Sequence, residues 1–380
     1  MIQSAKRLET VQEYYFSKKL KEVRQLASEG KPIINMGIGS PDLQPPSTVI
    51  KAIQDSLTDV GAHKYQSYQG LPEFRNAVAN FYKAKYNVII NPDNEILPLM
   101  GSKEGIMHIS LAFLNEGDHV LIPNPGYPTY SSVTNLVGAK SVFYELDATN
   151  NWQPNFNELE KFDLTNVKLM WVNYPHMPTG TKALKETYQQ LIEFGKKHHI
   201  IIVNDNPYSF ILNDTPKSIL QVEGAKDIAL ELNSLSKSYN MAGWRVGKLI
   251  GNQHFLNEVL KVKTQMDSGM FYGIQKGAIK ALELDDRWFK EQNKIYQSRQ
   301  QLIFKIADTL GCTYNKNTSG MFVWAKLPEG QESEKVVDDL LHNKHIFVAP
   351  GTIFGSQGEG YIRFSLCVPE EKIKEAITRF

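Results

Sequence analysis

Short apolar runs, each followed by a polar or glycine-containing loop, restrict most strongly how this 380-residue chain can fold. The runs are "ILPLM" (96–100), "HVLIP" (119–123), "KLMWV" (168–172) and "IIIV" (200–203). Between the last two, "KALKETYQQLIEFGKKHH" places Leu184, Tyr188 and Leu191 on one helical face. Strands, loops and helices at this spacing predict an α/β fold with a parallel sheet covered by helices.

The two ends of the chain have a different pattern. Residues 4–29 predict an amphipathic helix that ends at Gly30. The carboxyl-terminal third predicts one long helical stretch from about Gln275 to Leu310, then short strands such as "MFVWAKL" and "IRFSL", and a final helix. We therefore expect a smaller α+β domain beside the parallel sheet.

Charge and cysteine content exclude several classes of protein. With 42 basic and 41 acidic residues the net charge is +1, so the composition favours neither nucleic acid nor an anionic membrane as a partner. No run approaches the length of a membrane span, and the charged start "MIQSAKRLETVQEYYF" lacks the apolar core of a signal peptide. Cys312 and Cys367 share no metal-ligand or redox spacing. The sequence predicts a cytoplasmic protein without a metal site.

The segment "NSLSKSYNMAGWRVG" (233–247) combines many hydrogen-bond donors with no carboxylate. Its Ser234 and Ser236 hydroxyls and the planar fork of Arg245 suit phosphate oxygens. The glycine turn at Gly101, which runs into a helix in "GSKEGIMHISLAFL", adds backbone N–H groups for the same anion. Cationic and apolar neighbours disfavour the ammonium form of Lys237, which makes its amine a candidate Schiff-base nucleophile; the alternative is a solvated surface lysine.

A carboxylate follows the apolar run in "IIIVNDNPY". Asp205 lies at the predicted carboxyl end of that strand, where parallel sheets bind ligands, and Tyr208 is three residues further. Such a carboxylate can hold a pyridine nitrogen protonated, which turns the ring into an electron sink. The alternative for this segment alone is an aspartate in a strand-ending turn.

Over nearly its whole length the chain resembles the fold-type I, pyridoxal-phosphate-dependent aminotransferases of class I/II. The segment 234–247 is similar to their S-x-S-K-x-x-x-x-x-G-x-R-x-G motif. The resemblance implies a large cofactor-binding domain with a mostly parallel seven-stranded sheet, over residues 46–274. It also implies a smaller α+β domain built from both chain ends, residues 1–45 and 275–380.

The same resemblance implies a set of residues around pyridoxal 5′-phosphate. Lys237 would form the internal aldimine, and Asp205 and Tyr208 would contact the ring nitrogen and the phenolic oxygen. Tyr127 of "NPGYPTY" would stack on the ring. The implied phosphate ligands are Ser102, Lys103, Ser234, Ser236 and Arg245.

Substrate and partner residues are implied at other motifs. In "GTIFGSQGEGYIRFSL", Arg363 falls on the arginine that holds the substrate α-carboxylate, and the backbone of Gly39 approaches the same group. The segment "YQSYQGLPEFR" implies a homodimer with shared active sites, in which Tyr65 reaches the cofactor phosphate of the neighbouring subunit. Ser268 and Gly269 in "MDSGMF" would line the partner's site.

The implied activity is ping-pong transamination between an L-amino acid and a 2-oxo acid, with Lys237 moving the α-proton. The motifs look most like the branch of diaminopimelate, alanine and methionine aminotransferases. A carbon–sulfur β-lyase on the same fold is the alternative, because a fold does not determine the reaction. A non-catalytic regulator with a DNA-binding domain in front is disfavoured by the balanced charge and by the helix expected at the start of the chain.

One motif departs from the family. In "NYPHMPTG" the usual asparagine, which donates to the cofactor's phenolic oxygen, is replaced by Met177, whose thioether donates nothing. His176 either supplies the missing donor or is a satisfied surface histidine. No second arginine can be assigned to a side-chain carboxylate from the sequence.

Overall fold

The computed structural model describes residues 2–9 and 15–380, and a seven-stranded sheet lies at its centre. In spatial order the strands are β2 (Ile96–Leu99), β8 (Gly247–Ile250), β7 (Ala229–Ser234), β6 (Ile201–Asp205), β5 (Val167–Val172), β3 (His119–Asn124) and β4 (Lys140–Glu145). Strand β8 pairs antiparallel with β2 and β7, and the other neighbouring pairs are parallel. The prediction of a mostly parallel sheet is confirmed.

Both faces of this sheet are buried, which explains the apolar runs. Along β5, Leu169 and Trp171 belong to one hydrophobic core, whereas Met170 and Val172 belong to another. Successive side chains of a strand point to opposite faces, so a strand buried on both sides reads as a continuous apolar run.

Helices connect these strands and cover the sheet. They are α2 (Ser47–Ser56), α3 (Pro72–Tyr86), α4 (Ser102–Phe113), α5 (Thr129–Leu136), α6 (Phe156–Leu159), α7 (Lys185–His198), α8 (Leu235–Ser238), α9 (Gln253–Lys263) and α10 (Tyr272–Leu282). The helix predicted between "KLMWV" and "IIIV" is α7, and its C-terminal His199 adopts the left-handed conformation that ends many helices.

The single helix predicted from Gln275 to Leu310 is wrong. The chain forms α10 and a separate α11 (Asp286–Thr309). Asp285 separates them because its side chain accepts a hydrogen bond from the backbone of Arg287 at 3.0 Å, which is the geometry of a helix N-cap.

The predicted amino-terminal helix also needs correction. Within the described residues, α1 covers Tyr15–Ser28, and Lys6–Leu8 form only a 3₁₀ turn. Residues 10–14, which were predicted to continue the helix, lie outside the described residues.

A second hydrophobic core combines residues from both ends of the chain. A parallel pair joins β1 (Ile34–Asn35) to β11 (Ile346–Phe347). Beside it, an antiparallel sheet has the order β12 (Ala349–Pro350), β13 (Tyr361–Ser365), β10 (Phe322–Lys326) and β9 (Thr313–Tyr314). The remaining helices are α12 (Ser333–Lys344) and α13 (Glu370–Ile377).

The bounds 46–274 and 275–380 stay a prediction. Helix α10 crosses the predicted boundary, and its Ala278 and Leu282 pack in a core of the large sheet. In the part of the chain that the structure describes, no helix combines the length and the apolarity that a membrane crossing requires.

Candidate active site

A cavity of about 780 Å³ lies between the large sheet and the second core. Strands β6 and β7 end at it, and helix α4 begins at it. The predicted site residues that line it are Gly39, Ser102, Lys103, Tyr127, Asp205, Tyr208, Ser234, Ser236, Lys237, Arg245 and Arg363. Sequence positions that are far apart therefore meet at one site.

One end of the cavity is a cradle of hydrogen-bond donors. A Cβ on Gly101 would lie 2.1 Å from Arg245 Nη2, so the guanidinium packs directly on the glycine turn that precedes α4. A Cβ on Gly247 would lie 2.7 Å from the backbone nitrogen of Ser102. Both glycines are needed for this close approach, which brings the helix N-terminus and Arg245 together.

The serines of the cradle come from the start of α8. The Ser234 hydroxyl donates to the Ser236 hydroxyl at 2.9 Å and accepts the Ser236 N–H at 3.1 Å. With Arg245 and the N-terminus of α4, they form the predicted site for a phosphate dianion, which we call the anion cradle (Ser102, Lys103, Ser234, Ser236 and Arg245).

Asp205 has one unused oxygen. It is buried at the end of β6; its Oδ2 accepts a hydrogen bond from the Tyr130 hydroxyl at 3.0 Å, and its Oδ1 has no partner among the residues that the structure describes. Burial raises the pKa of Asp205 to about 7, although the Tyr130 hydrogen bond and the charge of Lys237 lower it. A buried polar atom without a partner is costly, so Oδ1 fits a ligand donor such as a protonated pyridine nitrogen.

Two residues beside Asp205 escaped the sequence analysis. Tyr130 stacks on Trp171 with ring centroids 5.0 Å apart, and its position in "NPGYPTY" was the available signal. The side-chain amide of Asn173 donates to the Asp205 carbonyl at 2.5 Å and accepts from the Met177 N–H at 2.7 Å. Both line the cavity and hold the ends of β5 and β6 in place.

Lys237 presents an amine to the cavity. Its Nζ donates to the carbonyl oxygen of Gly39 at 2.5 Å. Burial lowers the pKa of Lys237, and the charges of Arg363 and Arg245 lower it further, whereas Cys367 and Asp205 raise it. A neutral amine is a nucleophile and a proton acceptor.

Arg363 is a buried cation without a carboxylate partner among the described residues. Its Nη2 donates to the Gly37 carbonyl at 2.8 Å, its Nη1 contacts Met177 Sδ at 3.4 Å, and its Nε has no partner within the described part of the chain. The rings of Phe322 and Phe354 lie 4.0 and 4.5 Å from its Cζ atom. Burial lowers the pKa of Arg363 to about 10, so it stays charged near neutral pH and can bind an anion.

Gly39 is required beside this arginine, because a Cβ there would lie 2.4 Å from the Phe322 ring. Tyr208 is buried across the cavity, with its ring edge-to-face against Phe322 at 5.9 Å. Burial raises the pKa of Tyr208 above its ordinary value, so its hydroxyl stays protonated and can donate a hydrogen bond.

His176 does not supply the donor that Met177 lacks. Its Nδ1 lies 2.8 Å from the Thr179 hydroxyl and its Nε2 lies 3.1 Å from the Pro125 carbonyl, so both ring nitrogens are engaged. Burial lowers the pKa of His176 to about 3, which keeps the ring neutral. It is a satisfied histidine, but buried rather than on the surface.

Tyr65 is the predicted cofactor residue that the structure does not place in the cavity. Its side chain is 90% exposed. Ser268 and Gly269 also lie outside the cavity lining, but a Cβ on Gly269 would lie 2.3 Å from the Gln66 carbonyl. The segments predicted to face a partner subunit therefore pack against each other.

Comparisons with known proteins identify the family of this chain. A family model described as aminotransferase class I and II matches residues 31–380. The LL-diaminopimelate aminotransferases of Dehalococcoides mccartyi and Aquifex aeolicus are each 37% identical, over 99% and 100% of this chain and 97% and 98% of their own lengths. The substrate-bound BacF structure from Bacillus subtilis has a TM-score of 0.95 and 33% identity, covering 100% of this chain and 97% of that one.

Proposed function

The chain belongs to the class I and II aminotransferases, which are pyridoxal-phosphate enzymes, and we propose that the cavity described above is its site of amino transfer. The amino group passes from an L-amino acid to a 2-oxo acid. The observation that carries the assignment of the site is the unpartnered Asp205 Oδ1, buried in the same cavity as Lys237 and the anion cradle.

The residues present fit the cofactor. The anion cradle would hold its phosphate through serine hydroxyls, a guanidinium and the N-terminus of α4. Asp205 would hold the proton on the pyridine nitrogen through Oδ1, while Tyr130 fixes the carboxylate through Oδ2. Tyr127 would stack on the ring and Tyr208 would donate to its phenolic oxygen. When bound, pyridoxal phosphate supplies the electron sink that stabilises the charge left at the substrate's α-carbon.

Lys237 is assigned to proton transfer. Because burial and two guanidinium groups lower its pKa, more of its amine is neutral near pH 7 than in an exposed lysine. Neutral Nζ accepts the α-proton of the substrate, and the resulting ammonium can donate it again.

Arg363 is assigned to the substrate α-carboxylate. Phe322 and Phe354 hold the guanidinium between them, so its orientation is determined before substrate arrives. A carboxylate would supply the anionic partner that the described residues do not. Bidentate binding would also place the α-carbon in a defined position.

Transfer of an isotopically labelled amino group tests the function. Protein incubated with pyridoxal phosphate, a ¹⁵N-labelled donor and a 2-oxo acid should yield the ¹⁵N-amino acid of the acceptor. The names of the relatives make LL-diaminopimelate the first donor to test. Absence of labelled product from a broad donor panel, with cofactor absorbance present, would contradict the proposal.

The alternative reaction, carbon–sulfur lyase activity, is not favoured by the names of the relatives. Release of pyruvate and ammonia from cystathionine without an added oxo acid would support the lyase instead.

A homodimer with shared sites is part of the proposal. It is supported by the apolar exposure of the adjoining segments, where Tyr65 is 90% and Met266 62% exposed and Phe271 is also exposed. Mixing inactive Lys237→Ala protein with an inactive Tyr65→Ala protein should restore part of the activity, because hybrid dimers contain one intact site. A fully active monomer in light scattering would refute this arrangement.

We also propose a cytoplasmic location. The supporting observation is that Cys312 and Cys367 are both buried as free thiols, which suits a reducing compartment. Fractionation of the source cells, followed by assay of the transaminase activity, tests this location. Activity confined to an extracytoplasmic fraction would contradict it.

A further inference from the structure

The last residue of β3, Asn124, is buried and polar, and the proposed reaction gives it no task. It opens the "NPGYPTY" motif, in which Tyr127 is assigned to the cofactor ring. In the part of the chain that the structure describes, Asn124 is not among the residues that line the cavity. Burying an amide is costly unless its hydrogen bonds are made, so the partners of this side chain indicate its role.

Both ends of the Asn124 amide contact one loop of the second core. This segment, which we call the 351–358 loop, joins β12 to β13 and consists of two 3₁₀ turns. Asn124 Nδ2 donates to the Ser356 hydroxyl at 2.8 Å, and Oδ1 accepts the Gln357 N–H at 3.2 Å. A Cβ on Gly355, whose φ is +129°, would lie 2.1 Å from Oδ1. The amide therefore packs directly on the backbone of the loop, and a glycine is required at the point of contact.

The 351–358 loop carries one of the two rings that flank Arg363. The Phe354 ring lies 4.5 Å from the Cζ atom of Arg363, and Phe354 lines the cavity. The Phe354 carbonyl accepts the N–H of Gly126, two residues after Asn124, at 2.8 Å. The side chain and the backbone of the same turn therefore hold this loop beside the candidate α-carboxylate site.

The loop is closed on itself, and the turn that holds it is fixed in turn. A Cβ on Gly351 would lie 2.0 Å from the carbonyl oxygen of Gly358, so the two ends of the loop are in close contact. On the other side of the turn, the Pro125 carbonyl lies 3.1 Å from Nε2 of the buried His176. Asn124 thus connects a well-held strand end of the large sheet to a compact loop.

We propose that Asn124 is a positioning residue for the substrate α-carboxylate. By holding the 351–358 loop, it keeps the Phe354 ring against the Arg363 guanidinium. This inference rests on the proposed function of Arg363. The other ring beside the guanidinium, Phe322, belongs to β10 rather than to this loop. Loss of the Asn124 contact should therefore release the guanidinium on one side only, and weaken carboxylate binding without abolishing it.

Propionate is a suitable probe, because it has a carboxylate, needs no side-chain pocket and carries no amino group to transfer. Its affinity for the holoenzyme is measured from the change in cofactor absorbance. Asn124→Ala should bind propionate roughly tenfold more weakly, since two hydrogen bonds to the loop are lost. Ser356→Ala removes one of the two, at an exposed side chain, and should weaken binding about threefold. The double variant should bind no more weakly than Asn124→Ala, because both substitutions break the same contact.

Cofactor affinity and steady-state kinetics separate this role from a general loss of structure. In Asn124→Ala the Kd for pyridoxal phosphate should stay within about threefold of wild type, because the Asn124 amide contacts none of the anion cradle. The KM for the amino donor should rise about tenfold while kcat changes less than about threefold.

Asn252→Ala is the matched control. Asn252 also bridges two segments, accepting the Phe255 N–H at 2.9 Å and donating to the Lys226 carbonyl at 2.7 Å, but it lies outside the described cavity lining. It should leave propionate affinity unchanged.

An unchanged propionate affinity in Asn124→Ala, an equal loss in Asn252→Ala, or an equal loss of pyridoxal phosphate affinity would overturn the inference. So would additive effects of Asn124→Ala and Ser356→Ala. If Asn124→Ala does not fold, Ser356→Ala decides the question, and an unchanged propionate affinity in that variant would overturn the inference. A wild-type enzyme that transfers amino groups but does not bind propionate would do the same. Failure of amino transfer from every donor would instead refute the proposed function.

Discussion

Two buried carboxylates on neighbouring strands differ in how their oxygens are satisfied. Glu231 of β7 accepts four hydrogen bonds, two at each oxygen: Tyr82 (2.8 Å) and Ser218 (3.0 Å), then Asn204 (3.1 Å) and the Ile219 backbone (3.1 Å). From the described residues, Asp205 of β6 accepts one hydrogen bond, from Tyr130 at Oδ2, and none at Oδ1.

Burial raises the pKa of both carboxyl groups, but only Glu231 has a full set of donors to offset it. The four hydrogen bonds of Glu231 thus form a complete polar network within the core. Asp205 instead has one oxygen that can accept a hydrogen bond from a ligand. Burial alone therefore does not distinguish the two acids, whereas the unpartnered Oδ1 makes Asp205 the candidate for binding a ligand.

Two lysines repeat this difference. Lys248 is fully buried, donates to Asn233 Oδ1 at 2.8 Å and lies over the Phe81 ring, and burial lowers its pKa to about 7. Lys237 faces the cavity instead. A lowered lysine pKa thus occurs both at a lysine enclosed in the core and at one that faces the cavity.

The largest effect is expected for Lys237→Ala. Transamination should fall roughly 10³- to 10⁴-fold, because the amine that moves the α-proton is gone. Lys248→Met should change activity per folded molecule by no more than about threefold and act on stability instead. Borohydride reduction of holoenzyme followed by peptide mapping should label residue 237. A label on Lys103 or Lys248 would show that the assignment is wrong.

The carboxylates give the next largest effect. Asp205→Asn should lower kcat/KM roughly 10²- to 10³-fold, since a neutral amide no longer favours the protonated pyridine nitrogen. Glu231→Gln should lower the free energy of unfolding by about 3 kcal/mol. The NH₂ group of the new glutamine side chain would face hydrogen-bond donors where the carboxylate had an accepting oxygen. Urea unfolding and kcat are measured on the same preparations. A stable but inactive Glu231→Gln enzyme would contradict the assignment of Glu231 to stability and of Asp205 to activity.

The pH dependence of stability sharpens the same comparison. Because burial raises the pKa of Asp205 to about 7, the folded apoprotein retains a proton that the unfolded chain releases near pH 4. Wild-type stability should therefore fall relative to Asp205→Asn as pH rises from about 5 to 7, by roughly 3 kcal/mol, and level off above. Thermal or urea unfolding of both apoproteins at several pH values checks this. A difference that does not vary with pH would contradict the raised pKa.

The smallest effect is expected at Met177. An asparagine there would add a hydrogen bond to the cofactor's phenolate and favour its charged form. Met177→Asn should move the pH midpoint of cofactor absorbance downward, by roughly half a unit, and change the affinity for donor amino acids. An unchanged or higher midpoint would mean that another donor already fills the place. Since both nitrogens of His176 are engaged, Tyr208 would be that donor.

Local patterns predicted the large sheet because buried strands are short and apolar. They did not predict the break at Asp285, where one capping side chain outweighs a continuing helical pattern. Nor could they predict the pairing of Ile34 with Ile346, since neither segment carries a local signal for its partner.

In the site, the polar residues that follow the strands could be identified from the sequence. Polar side chains directly after a buried apolar strand are expected where a ligand binds. Tyr130, Phe322 and Phe354 were missed because aromatic residues at these positions read as core. The roles of Lys237 and the other assigned residues stay predictions. The role proposed for Tyr65 would depend on a second chain, which one sequence does not describe.

The hydrogen bond from Arg363 to Gly37 joins positions 326 residues apart. During synthesis at about 5–20 residues per second, roughly 16–65 seconds separate the emergence of these two partners from the ribosome. Strand β1 can pair only after a similar interval, because its partner β11 is also synthesised late. The amino-terminal segment must remain unpaired through this interval. A nascent chain therefore completes the proposed α-carboxylate site only after β13 has emerged.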